Sequence, residues 1–112
     1  MKIELKPTEL PIDIETSKAF PSQRLEDKIG YIARIDHVSK EGEKFDIGIE
    51  NKTGLTRGRS FLYLGHEDFK DFLDCYGLKT PSYLIGKPVI SVYTRSMGRR
   101  LCGFIPLNLE ED

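Results

Sequence analysis

Apolar and polar residues alternate in several short runs of this chain, the period that sets one face of a β-strand on a core and the other in water. The clearest run is 44–50, where Phe45, Ile47 and Ile49 share one face and Asp46, Gly48 and Glu50 share the other. Residues 31–38 and 60–64 also read as strands, as do 88–94 and 100–105, which are rich in β-branched and aromatic side chains. Ser39, Lys40, Glu41, Gly42 and Glu43 form a polar, glycine-containing hairpin loop between the first two strands, and 96–99 turns between the last two. One stretch keeps a different period. Phe69, Phe72, Leu73 and Tyr76 fall at i, i+3, i+4 and i+7, a single apolar stripe at helical spacing. Glu67 and Asp68 stand in its first turn, where carboxylates suit the helix dipole, and Gly77 follows where a left-handed cap is wanted. The spacing predicts a helix over 66–76.

Ahead of these elements, residues 1–30 hold three of the six prolines, Pro7, Pro11 and Pro21. Proline removes a ladder donor and disfavours helix, so this segment is expected to be an extended arm with at most one edge strand, around Leu10, Ile12 and Ile14. The expected organisation is an arm over 1–30, one β-barrel domain over 31–107 and a short acidic end over 108–112. The order strand, strand, strand, helix, strand, strand is that of a mainly β fold, a small five-stranded OB-like barrel with the helix plugging one end. The alternative is another small α+β arrangement with the helix laid across a sheet.

Within the 66–92 stretch the helix ends in Gly77-Leu78 and is followed by Tyr83-Leu84-Ile85-Gly86-Lys87-Pro88-Val89-Ile90-Ser91-Val92. This resembles phage-type single-stranded DNA-binding OB proteins, in which a helix precedes a Leu-x-Gly-Lys-x-Val turn into a barrel strand. The resemblance covers roughly a quarter of the 112 residues and implies an OB barrel that binds single strands without catalysis.

Charge changes how that implication must be met. Lys plus Arg is 17 and Asp plus Glu is 18, so the net charge of -1 attracts no polyanion globally, and any such binding rests on local patches. Arg95, Arg99 and Arg100 cluster at the last turn; Lys52, Arg57 and Arg59 cluster between the second and third strands. The helix span 66–76 carries a net -3 and 81–109 a net +4, so acidic and basic stretches are separated along the chain. Arginines there would take phosphates, and Tyr31, Tyr63 and Tyr93 are the candidates for stacking bases. The competing reading makes the arginines ordinary solvated loop residues that discourage edge pairing, with each tyrosine pointing inward. Glu110, Glu111 and Asp112 resemble in sign the acidic tails of some single-stranded DNA-binding proteins, though a solvated terminus accounts for them as well.

Catalytic chemistry finds little support. His37 and His66 are 29 positions apart, there is no Cys-x-x-Cys, and neither a phosphate-binding Gly-x-x-x-x-Gly-Lys-Ser/Thr loop nor a Gly-x-Ser-x-Gly elbow occurs. Asp46 and Glu50 share a strand face and would be the one acid/base pair, but exposed carboxylates of that kind are usually solvated charge. No enzyme, metal or cofactor is expected. The longest apolar runs are only a few residues, so no membrane span is expected, and with no signal peptide a cytoplasmic protein is. Cys75 and Cys102 are accordingly read as reduced, buried small hydrophobes. The expected partner is single-stranded nucleic acid. The runner-up is an interaction or assembly module, homo-oligomeric or with a protein partner, that uses the N-terminal arm for strand addition.

Overall fold

A computed structural model of the chain describes residues 8–9, 18–22, 24–25, 28–51, 58–94 and 100–107. Its elements are β1 (Thr8–Glu9), β2 (Lys28–Glu41), β3 (Lys44–Asn51), β4 (Gly58–Gly65), α1 (His66–Cys75), a single 3-10 turn (Pro81–Leu84), β5 (Pro88–Thr94) and β6 (Leu101–Pro106). The fold is mainly β. Five antiparallel strands in the order β4-β3-β2-β5-β6 curl into a half-barrel, and β1 pairs with β2 beside them. Curling brings β4 into contact with β6, the two ends of that order.

The long strand β2 makes the curl. Its first half, from Lys28 to Arg34, pairs with β5, and its second half, from Ile35 to Glu41, pairs with β3. The register slips between Ile35 and His37, and a bulge of this kind increases twist and bends a strand. At the same place the turn before β5 is tied on: Ile35 donates its N–H to the Lys87 carbonyl at 3.0 Å and its carbonyl accepts the Gly86 N–H at 2.7 Å.

Inside the curl, Ala33, Ile35, Ile47, Ile49, Leu64, Val89 and Phe104 form the floor of one core cluster, which α1 closes with Phe69, Phe72 and Leu73. Phe69 lies parallel to Phe45 with ring centroids 3.9 Å apart. Phe72 is fully buried and meets Phe20, Tyr76 and Phe104 within 6.2 Å. The last stripe residue, Tyr76, locks the helix to the barrel: its hydroxyl donates to the Pro88 carbonyl at 2.6 Å and accepts the Leu107 N–H at 3.3 Å. Burial pushes its phenol well above the ordinary tyrosine range. Gly77 then ends the helix at φ 68°, a conformation most side chains resist.

Several details depart from the alternation alone. β2 begins at Lys28 and runs on to Glu41, so Ser39, Lys40 and Glu41 extend the strand and the hairpin turn shrinks to Gly42 and Glu43. Gly42, at φ 62°, makes so tight a turn possible. Ala19, Phe20 and Leu25 of the N-terminal segment are buried, and Phe20 exchanges backbone hydrogen bonds with Phe104. Ala19 and Leu25 pack on Ile90, Val92 and Ile105, the outer side of β5 and β6. Those two strands are therefore covered on both faces. The edge strand anticipated at Leu10, Ile12 and Ile14 lies outside the described residues, as does the acidic end at 108–112. Both cysteines are free, but Cys75 is exposed, because it falls off the stripe that faces the core; Cys102 is half-buried and donates its thiol to the Val92 carbonyl.

Phe72→Ala should cost about 3–5 kcal/mol in urea unfolding, the usual loss for a large aromatic cut from a packed core. Phe61→Ala, on the other side of the sheet, should cost less than about 1 kcal/mol. Equal losses at the two positions would contradict this assignment of faces.

Candidate functional site

Alternation on β3 and β4 sends Ile47, Ile49, Leu62 and Leu64 inward and leaves a second set outside. Cross-strand pairing aligns that outer set in rows. Ser39 on β2, Asp46 on β3 and Tyr63 on β4 form one row; His37, Gly48 and Phe61 form the next. Glu41 with Lys44, and Glu50, flank them. Phe61 is 44% exposed and Tyr63 is 51% exposed, large apolar rings left in solvent on a sheet face.

Gly48 sets where Phe61 lies. A Cβ built at Gly48 would come within 2.8 Å of the Phe61 ring and 3.0 Å of His37 Cβ. The bare backbone therefore lets the ring settle across β3 against His37, with centroids 5.7 Å apart and planes at 83°. Such an edge-to-face contact is favourable for aromatic pairs and holds the ring in one orientation.

The neighbouring row is polar. Asp46 is only 7% exposed, and its Oδ1 has no hydrogen-bond partner among the described residues, while Oδ2 lies 3.6 Å from His37 Nε2. His37 Nε2 also contacts the Ser39 hydroxyl at 3.1 Å. The residue types of a hydrolytic triad meet here, yet serine and aspartate both face the same ring nitrogen. A relay needs them on opposite nitrogens, so this arrangement cannot pass a proton from one to the other. Tyr63 donates its hydroxyl to Glu41, and the Glu41 carboxylate foremost, then Asp46, raises its phenol above the usual range.

The residues singled out from sequence divide sharply. Tyr63 is on the exposed face. Tyr31 and Tyr93 are 2% and 4% exposed, pack edge-to-face at 5.4 Å and point inward, so neither ring offers a base a face. Burial raises the Tyr93 phenol, which Ser91 and Ser60 partly offset by hydrogen bonding. Arg59 holds a β4 position opposite Glu50, two residues before Phe61. Arg100 is exposed at the start of β6, its N–H bound to the Thr94 hydroxyl. Arg57, Arg95 and Arg99 lie outside the described residues. Asp46 and Glu50 do share a face, but Gly48 separates them, and one is buried while the other is exposed. Phe61, His37 and Ser39 were not picked out from the sequence. The tight Gly42 turn was the available signal, since it fixes the register that sets His37 and Ser39 beside β3.

Among the described residues no helix is long and apolar enough to cross a membrane, and no three His, Cys, Asp or Glu side chains gather to hold a metal. No known protein family, curated protein or solved structure matches the chain.

Gly48→Val would fill the space under the Phe61 ring and should lift it from His37. The expected sign is loss of the ring-current shift on the His37 imidazole protons in NMR spectra, with the fold retained. An unchanged shift would show that Gly48 does not seat the ring.

Proposed function

We propose that the protein is a non-enzymatic binder of single-stranded nucleic acid, using a basic barrel face and showing little sequence preference. The observation that carries this reading is the pair of exposed rings, Phe61 and Tyr63, side by side on an open sheet face whose reverse side builds the core. Every base has a flat face, and aromatic side chains held on a rigid sheet stack bases of any sequence at about 1–3 kcal/mol each. In an OB-like barrel the outward side of these two strands, with the adjoining loops, is where oligonucleotides lie. The OB-like reading is favoured by the strand order and by the helix between the third and fourth barrel strands.

Backbone charge would be met by the arginines proposed from the sequence, Arg57, Arg59, Arg95, Arg99 and Arg100. The resemblance of residues 66–92 to phage-type single-stranded DNA-binding proteins, and a cytoplasmic location in which free thiols persist, belong to the same reading. The assembly reading is less favoured. Thr8 and Glu9 of the N-terminal segment pair with β2 of their own chain, and Ala19, Phe20 and Leu25 are used in the core.

Fluorescence anisotropy of labelled single-stranded DNA and RNA checks the proposal. Binding is expected, with affinity falling as salt rises because phosphate neutralisation releases counterions. Phe61→Ala and Tyr63→Ala should each weaken it roughly 5- to 150-fold, the equivalent of about 1–3 kcal/mol for a lost stacking partner. Full affinity in the double variant, or no binding at low salt, would refute the assignment.

A further inference from the structure

Asp46 is an unusual residue to find between two exposed rings. Its side chain is 10% exposed, yet one carboxylate oxygen has no donor among the described residues. Native folds rarely leave a buried charged acceptor without a donor, because the desolvation cost is not recovered. The hydroxyls of its row neighbours are turned elsewhere. The Glu41 carboxylate takes the Tyr63 O–H, and the Ser39 hydroxyl faces His37. In this floor beneath the stacking rings Oδ2 meets the His37 ring nitrogen, but among the described residues no N–H reaches Oδ1.

We infer that this floor reads a base edge, and that the base is guanine. This inference rests on the stacking role of Phe61 and Tyr63 and names what that site selects. A carboxylate wants two adjacent N–H donors in the plane of a stacked ring. Guanine supplies them on its Watson–Crick edge as N1–H beside the N2 amino group. Adenine and cytosine set a ring-nitrogen lone pair next to their single amino group, and thymine or uracil flanks its one N–H with carbonyl oxygens. Each of these places a lone pair against the carboxylate. Pairing hides the guanine edge in a duplex, so the contact exists only for single strands. Oδ1 is closed to solvent in the free protein. Uptake therefore requires side chains around Asp46 to move, and the half-exposed Tyr63 is its cross-strand neighbour.

The test compares oligo-dT carrying one central dG, dI, dA or dC, each titrated by anisotropy into the full chain. The dG oligonucleotide should bind roughly tenfold more tightly than those with dA or dC, in line with a bidentate base contact. Inosine lacks the N2 amino group and should lose most of that advantage, a comparison that needs no variant. Asp46→Asn should erase the preference, whereas Glu50→Gln, on the same face beyond Gly48, should keep it. Circular dichroism checks that both variants are folded. Equal affinity for all four oligonucleotides would overturn the guanine assignment and leave the stacking role standing. No binding to any of them would remove both. Displacement of the dG oligonucleotide by an arginine-rich peptide that needs Asp46 would overturn it in favour of a cationic protein partner.

Discussion

At Ile35 the longest strand of the protein changes partners, and the remaining architecture depends on that change. Up to Arg34 one edge of β2 pairs with β5, with β1 also paired at Tyr31 and Ile32; from Ile35 onward the pairing is with β3, after a slip at Asp36. The two backbone bonds from Ile35 to Gly86 and Lys87 fill the gap where one partner ends and the other begins. Arg34 reinforces the junction by donating from Nη1 to the Gly86 carbonyl at 2.9 Å. Gly86 sits at φ 91°, a backbone angle that a side chain would strain. Without this junction two hairpins would remain, β3 with β4 and β5 with β6, and nothing would bend one toward the other.

The bend also divides the outer surface. On the β5–β6 side the N-terminal segment lays Ala19 and Leu25 over the sheet and buries both faces. On the β3–β4 side no described segment does the same, and the outward positions carry rings and charges instead of aliphatic side chains. The asymmetry follows from composition. Ile90 and Val92 need cover, whereas Asp46, Gly48 and Glu50 do not offer enough apolar area to hold a segment down.

Most of the fold was legible because it follows from period. The stripe through Phe69, Phe72, Leu73 and Tyr76 gave the helix, and the alternation through Phe45, Ile47 and Ile49 gave both a strand and its inward face. The site was less legible, since it is built across three strands and depends on register. Tyr31 and Tyr93 look no different in sequence from Tyr63, but their strands lie where both faces are covered, so their rings are buried. His37 becomes a neighbour of Phe61 through the register that the tight Gly42 turn imposes on β2 and β3, which depends on the exact length of that turn. β2 is longer than its apolar pattern suggests: Ser39, Lys40 and Glu41 are polar because the end of the hairpin projects into solvent, not because the strand has ended.

The glycine beneath Phe61 has one more consequence. The ring rests on bare backbone beside His37, itself an outer position of the sheet. Inner and outer positions of β3 and β4 thus form two chemical surfaces that share a backbone and little else. Changes confined to the outer one should combine almost additively with changes to the core. The barrel is in this sense a carrier whose displayed surface can be exchanged, with a different set of rings and charges grafted onto the same two strands.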